Sequence, residues 1–214
     1  QKIDFSCSWG FDTTTFSDAN GNWRIHLKTN SASKAQTIIL SSDNDIYNIN
    51  DILLGEVWVA SGQSNMEHTF NYCCNSTDNS DGEINSAHYS DIRMFNVKKT
   101  LSLNPLHDTQ GEWVSAIGKN IIDFSAVGYF FAKKLHKDLD IPIGIIHASW
   151  GGSGLQSWTN KNVLKNFDGY TQKLKNIEQD SLKYKKTMQW YEGFEKIQSG
   201  SGAWDLFLSS DILP

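Results

Sequence analysis

The residues with the clearest chemical potential lie in the pentapeptide GQSNM at positions 62–66. It follows an apolar, β-branched run at 55–61, a pattern typical of a buried β-strand. A serine on the turn after such a strand lies at the edge where open α/β sheets place their active sites. If a helix follows, its first N–H groups can hold a developing oxyanion. Ser64 is therefore a candidate nucleophile, and the alternative is that it only caps the next helix.

A second apolar run, at 143–148, leads into the motif ASWGGS at positions 148–153. Two consecutive glycines allow positive φ angles and a close approach of the backbone to a ligand. The N–H group of Gly152 is thus a candidate second oxyanion donor beside Ser64. A glycine pair alone favours an ordinary turn between a strand and a helix, so this assignment depends on the first motif.

Together, the strings GEVWVASGQSNM and ASWGGSGLQSW resemble the sialate O-acetylesterase group of the SGNH hydrolases. Segments 51–58 and 124–131 fit the same group, and the resemblance covers roughly residues 20–205. It implies an α/β fold with an SGNH-type, flavodoxin-like parallel sheet flanked by helices. A small antiparallel β-sandwich segment is expected to precede that sheet.

The resemblance implies a serine esterase that removes O-acetyl groups from sialic acid or other O-acetylated sugars through an acyl-enzyme on Ser64. The N–H groups of Ser64 and Gly152 would line the oxyanion hole, and Gly151 would shape the turn. For Trp158, packing beneath the turn is an equal alternative to a place at the substrate rim. The further oxyanion or binding residues and the rim residues that the resemblance implies are Gln63, Asn65, Trp150 and Trp158.

The base that must activate a serine hydroxyl is not evident in this sequence. In the group that the chain resembles, an Asp and a His lie close together near the C-terminal end, and no such motif occurs here. His68 follows Ser64 by four residues, which places it along a helix rather than above the serine. His147 lies within a strand pattern and is interpreted as a satisfied core or edge histidine. We therefore expect the Asp and His in a C-terminal part outside this chain or on a second chain.

A second hypothesis keeps the fold without the catalysis. The chain would then be a non-catalytic carbohydrate-binding protein or an inactive fragment, and its 8 tryptophans would contribute to sugar stacking. A net charge of −5 without a basic cluster argues against a nucleic-acid partner. No run approaches the ~20 apolar residues that span a membrane. An O-acetylated sugar is thus the expected partner.

No cofactor or metal is expected, because the adjacent Cys73 and Cys74 have no neighbouring ligands of the kind that zinc requires. The sequence leaves the pairing of these two residues and Cys7 open. The polar start of the chain looks like a mature N-terminus. With the resemblance, it favours a periplasmic or secreted location.

The chain is expected to comprise three parts. Residues 1–50 form a partial immunoglobulin-like β-domain, residues 51–195 the first part of the hydrolase domain, and residues 196–214 a linker and the start of an inserted β-sandwich. Residues 113 and 114 are placed in a connecting segment. The expected elements are strands at 23–28, 36–40, 55–61, 91–97 and 143–148, helices at 124–139 and 169–195, and a long loop at 71–87.

Overall fold

The computed structural model describes residues 1–31, 34–43, 45–71, 77–100, 102 and 104–179. The chain divides into two compact units. The first unit comprises residues 1–98 and 109–152 and contains two β-sheets. The second comprises residues 99–108 and 153–214, described as far as residue 179.

The first sheet is antiparallel, as expected, with four strands in the spatial order β2-β1-β3-β4. Its alternating apolar side chains bury a small core of Ile3, Phe5, Cys7 and Ile38. The Cys7 thiol is free, and its burial raises its pKa. Cys73 and Cys74 lie outside the described residues. The strand bounds are β1 (Lys2–Cys7), β2 (Phe11–Phe16), β3 (Gln36–Ser42) and β4 (Asp45–Ile52).

The strand expected at 23–28 does not form, although β3 contains the one expected at 36–40. The backbone at 23–28 bonds to side chains instead of a ladder: Thr15 donates to the carbonyl of Arg24, and Trp9 to that of Lys28. The alternation nevertheless signalled burial correctly, because Ile25 and Leu27 pack against the core of the first sheet. The alternation at 23–28 thus indicated that one side of this segment is buried, and not that the segment pairs as a strand.

The second sheet belongs to an α/β arrangement, as expected, but it is mixed rather than wholly parallel. Its order is β5-β8-β6-β7, and β7 runs antiparallel to β6 while the other pairs are parallel. Trp113 and Val114, expected in a connection, begin β7. An antiparallel edge strand needs no crossover helix, so a short segment can join the sheet there. The bounds are β5 (Glu56–Gly62), β6 (His88–Asn96), β7 (Trp113–Ile117) and β8 (Ile143–Ser149).

The long helix α3 (Ala126–Leu139) covers one face of the mixed sheet. The helix starts at Ala126, two residues later than expected. Ser125 is its N-cap residue, and the Ser125 hydroxyl accepts the N–H of Gly128 at 3.0 Å. Four apolar residues of α3, at 127, 130, 131 and 135, differ in burial, and the last of them packs against the core. The first three are about two-fifths to one-half exposed, while the buried residues of α3 are Ala126, Gly128, Tyr129 and Ala132.

Two shorter helices precede α3 in the first unit, α1 (Ser64–Glu67) and α2 (Ser80–Ser86). The expected loop at 71–87 therefore contains a helix, and residues 72–76 lie outside the described part of the chain. A 3-10 helix at Gly118–Ile121 leads from β7 towards α3. The boundary expected at residue 50, between the β-domain and the hydrolase domain, stays a prediction. Strand β4 continues past it to Ile52.

Glu83 holds α2 against α3 at a largely buried site. Its carboxylate accepts hydrogen bonds from the Tyr129 hydroxyl at 2.7 Å and from Lys133. The Lys133 ammonium also lies 5.8 Å from the centre of the Tyr89 ring, a cation–π distance. Burial acts to raise the pKa of Glu83, but the bonds from Lys133 and Tyr129 outweigh it and leave the pKa below its ordinary value.

This cluster predicts a pH-dependent loss of stability in the variant Glu83→Ala. At pH 7 the free energy of unfolding should fall by about 2 kcal/mol, the loss typical of hydrogen bonds to a charged group. The pKa of Glu83 is lowered in the folded state, so its contribution to the free energy of unfolding is complete above its unfolded-state pKa of ~4.3. This contribution disappears as the pH falls through the folded-state pKa. Urea unfolding at pH 7 and pH 3 measures it, with the exposed Asp138→Asn as control. A gap between wild type and variant that persists undiminished at pH 3 would contradict the assignment.

The second unit contains a 3-10 helix at Leu155–Trp158 and the helices α4 (Lys161–Leu164) and α5 (Tyr170–Gln179). The Lys161 ammonium donates to the side chain of Asn104 at 2.9 Å, which connects the two segments of this unit. The helix expected at 169–195 agrees with α5 at its start, and its remainder lies outside the described residues. The linker and the start of an inserted β-sandwich expected at 196–214 also lie outside them. None of the described helices has the length and apolarity of a membrane span.

Candidate active site

Ser64 lies at the carboxyl end of β5, as the first residue of α1. Gly62 ends the strand with φ +150°, which favours glycine, and Gln63 occupies the N-cap position. The Gln63 carbonyl accepts the N–H groups of Met66 and Glu67, both at 2.9 Å, and no side chain caps the helix. The alternative that Ser64 caps a helix was therefore wrong. The Ser64 residue is exposed at the sheet edge.

Parallel pairing brings the second motif to the same edge. β5 and β8 align with Gly62 opposite Ser149, so both strands end together. The Trp150 N–H then donates to the Gly62 carbonyl at 3.0 Å. As a result, a Cβ atom on Gly151 would lie only 3.3 Å from Ser64 Oγ. The structure thus brings the two motifs into contact, while their catalytic roles stay predictions.

The two N–H groups expected to line an oxyanion hole are open in the described part of the chain. Neither Ser64 nor Gly152 donates its backbone N–H to a described residue. Gly152 has φ +76°, and a Cβ atom there would meet nothing within 4 Å. Within the described residues, the space next to the Cα atom of this glycine is therefore open.

Sequence reasoning missed Glu67, whose carboxylate accepts the N–H of Gly151. A Cβ atom on Gly151 would lie 2.7 Å from Glu67 Oε2, so the carboxylate is packed against the turn that follows β8. The signal was present in the sequence, because Glu67 follows Ser64 by three residues and i,i+3 positions share a helix face. Only the contact with Gly151 shows its importance.

The remaining candidates flank this centre or lie in the second unit. Gln63 and Asn65 are exposed on either side of Ser64, and Trp150 is half-buried. Trp158 belongs to the second unit, where it is 44% exposed and its indole N–H donates to the Ser153 hydroxyl at 2.8 Å. Their roles in sugar binding stay predictions.

His147 is a satisfied, buried histidine, as the strand pattern indicated. The Asn96 amide N–H₂ faces the Asp123 carbonyl at 3.3 Å, which directs its oxygen at His147 Nδ1, 2.8 Å away. Nδ1 is thus placed to donate to this oxygen, and Nε2 lies 2.5 Å from Ser149 Oγ. This network lies beneath the end of β8 and uses both ring nitrogens.

The spacing predicted that His68 lies along the same helix as Ser64. This was wrong, because α1 ends at Glu67. The backbone turns at His68, whose carbonyl accepts the Ala126 N–H and whose Nε2 lies 3.3 Å from the Thr77 hydroxyl. Within the described ranges, no histidine forms a hydrogen bond with Ser64. Those ranges also contain no group of three or more metal-ligating side chains.

The family model described as "Carbohydrate esterase, sialic acid-specific acetylesterase" matches residues 54–204, well over half of the chain. The chain belongs to this family. The matched region includes both the GQSNM and the WGGS motif. The resemblance inferred from those motifs is therefore confirmed.

Two curated proteins match more than half of this chain. The sialate O-acetylesterase of Rattus norvegicus is 32% identical over 134 residues, which are 59% of this chain and 24% of that protein. That of Homo sapiens is 32% identical over 135 residues, or 59% of this chain and 25% of that protein. The chain spans about a quarter of the length of these curated relatives.

A solved structure supports the same fold for this family member. The crystal structure of a carbohydrate acetylesterase from Xanthomonas citri superimposes with a TM-score of 0.71 and 32% sequence identity. The match covers 77% of this chain and 37% of the other. The α/β class expected from the sequence is thus confirmed.

Proposed function

We propose that this chain is the nucleophile-bearing part of a serine esterase that removes O-acetyl groups from sialic acid or other O-acetylated sugars. The observation that carries the proposal is the meeting of Ser64 with the Gly151–Gly152 turn at the ends of two parallel strands. The acetylesterase family and the names of the relatives support an acetyl ester as the substrate.

The proposed reaction is acyl transfer in two steps. Ser64 Oγ attacks the acetyl carbonyl carbon, and the proton of its hydroxyl passes to a base. The N–H groups of Ser64 and Gly152 hold the oxyanion of the tetrahedral intermediate. The C–O bond to the sugar then breaks, the sugar oxygen takes the proton, and acetyl-Ser64 remains. Water attacks this ester in turn, which releases acetate and restores the serine.

The base is proposed to come from polypeptide outside this chain, either a C-terminal part or a second chain. Two histidines bear on this proposal: His68, which follows Ser64 in sequence, and His147 on β8. Both have other hydrogen-bond partners than Ser64. His147 holds Asn96 and Ser149, and His68 faces Thr77. A base must lie within hydrogen-bond reach of the proton that it takes.

The remaining candidate residues are proposed to contact the sugar. Gln63 and Asn65 present amide groups that can bond to hydroxyls, and Trp150 and Trp158 present aromatic faces for stacking. The reaction itself is proposed to need no cofactor, because a serine, a base and two N–H donors suffice for ester hydrolysis.

The test is to follow acetate and the acyl-enzyme together in the intact natural polypeptide. It is mixed with O-acetylated sialic acid or with an O-acetylated neutral sugar, and the reaction is stopped with acid. We expect acetate in solution and a peptide containing Ser64 that has gained one acetyl group. Binding of either sugar without acetate release would instead favour a non-catalytic carbohydrate-binding protein and would overturn the proposal.

A further inference from the structure

Three groups share one small space at the candidate site: the nucleophile, a carboxylate and a glycine turn. Glu67 is the last residue of α1, three residues after Ser64, and is half-buried. Its Oε2 accepts the N–H of Gly151. A Cβ atom on that glycine would lie 2.7 Å from Glu67 Oε2 and 3.3 Å from Ser64 Oγ. The carboxylate therefore connects the helix of the nucleophile directly to the turn after β8.

This contact is the second of two successive backbone anchors of the turn. Trp150 donates its N–H to the Gly62 carbonyl at 3.0 Å. The next N–H, that of Gly151, donates to Glu67. The first N–H beyond these two anchors is that of Gly152, which donates to no described residue. The two anchors thus hold the backbone immediately before the Gly152 N–H and restrict where this group can lie.

We propose that Glu67 is a positioning residue that holds the Gly151–Gly152 turn so that the Gly152 N–H converges with the Ser64 N–H on the oxyanion. The inference rests on the proposed function of this site. Glu67 acts through the backbone and does not touch the substrate. Its carboxylate accepts a charge-assisted bond, which is shorter and stronger than a neutral one and suits an anchor.

The role is geometric rather than electrostatic. A negative charge close to the oxyanion would disfavour the transition state by repulsion, so the charge itself offers no catalytic advantage. The useful feature is an acceptor oxygen at the reach of a glutamate side chain. Glutamine has the same reach and the same acceptor, whereas alanine has neither.

The experiment compares Glu67→Gln and Glu67→Ala in the intact protein, with 4-nitrophenyl acetate as the probe ester. Glu56→Ala is the matched control, because it removes an exposed carboxylate at the opposite end of β5. We expect Glu67→Ala to lower kcat about a hundredfold while KM changes little, as for a loss confined to the transition state. Glu67→Gln should restore kcat to within about fivefold of wild type, and Glu56→Ala should match wild type.

Amide hydrogen exchange supplies a readout that is independent of turnover. In Glu67→Ala the Gly151 amide should exchange faster, and in Glu67→Gln it should stay protected. Faster exchange together with the lower kcat, both rescued by glutamine, supports the proposal. It is overturned if the Gly151 amide of Glu67→Ala keeps its protection, or if kcat there is unchanged.

Two further outcomes also decide against it. A kcat in Glu67→Gln as low as that in Glu67→Ala, with the amide still protected, would show that the charge matters rather than the geometry. A rise of kcat in Glu67→Ala would show that the carboxylate withholds a donor from the oxyanion. If the wild type itself releases no acetyl group, the proposed function fails, and that result differs from an active wild type with an unimpaired Glu67→Ala.

Discussion

Replacement of Ser64 by alanine is expected to lower kcat for acetyl release by more than about a thousandfold, as loss of a nucleophile does in serine hydrolases. The hydroxyl lies at the sheet edge beside the Gly151–Gly152 turn, and without its oxygen no acyl-enzyme forms. The free energy of unfolding should change by less than about 0.5 kcal/mol, since the residue is exposed. Acetate release and urea unfolding of the intact protein measure the two effects.

The matched control for this variant is Ser61→Ala. Ser61 is an exposed serine three residues earlier, on β5 itself. It should retain wild-type turnover. Retained turnover in Ser64→Ala, with the control unchanged, would exclude Ser64 as the nucleophile. Equal loss in both variants would point to damage to β5 rather than to the chemistry.

The second large effect is expected from Gly151→Ala. The added methyl group would lie 2.7 Å from Glu67 Oε2, a contact that real Cβ atoms do not make, and 3.3 Å from Ser64 Oγ. Because Glu67 Oε2 is the end of a flexible side chain, the carboxylate moves first and its bond to the Gly151 N–H is lost. The turn is then no longer anchored, and a shift of about 1 Å at a reacting centre can cost about a hundredfold in rate. We therefore expect kcat to fall by about a hundredfold or more.

Gly144→Ala controls for the introduction of a methyl group into β8. There the Cβ atom would meet Val57 at 3.3 Å and the Trp113 ring at 3.4 Å, tight contacts with side chains rather than with the site. Turnover should stay near that of wild type, with at most a modest loss of stability. If Gly151→Ala is as active as Gly144→Ala, the turn does not contribute to catalysis in the way that we propose.

Local sequence determined much of this molecule. A β-branched run followed by GQSNM specified β5 and an exposed serine, and the run at 143–148 specified β8 with its glycine turn, because strand propensity and glycine act over a few residues. The burial expected for the run at 55–61 was wrong, since most residues of β5 are exposed. The same strings identified the family, which the family model confirmed. Helix α3 was also predicted, since fourteen residues contain enough helical pattern and a capping serine.

Pattern failed where pairing or burial depends on distant residues. Strand β7 was missed because it is five residues long and is defined by its partner β6. The apolar residues of α3 do not by themselves show which side is buried, because Phe130 and Phe131 contact Phe70 and Trp58 and stay partly exposed, while Ala126, Gly128, Tyr129 and Ala132 are buried. An apolar stripe records hydrophobicity, whereas burial depends on what lies opposite.

The candidate site divides in the same way. The sequence by itself determined Ser64, Gly151 and Gly152 as residue types with suitable chemistry, and it indicated that His147 is satisfied in the core. Only the tertiary structure decided that Gly62 pairs with Ser149, which places the glycine turn against the serine, and that Glu67 holds that turn. The physical reason is that register and a hydrogen bond between residues far apart in the chain depend on how the strands align, and no local pattern encodes that alignment.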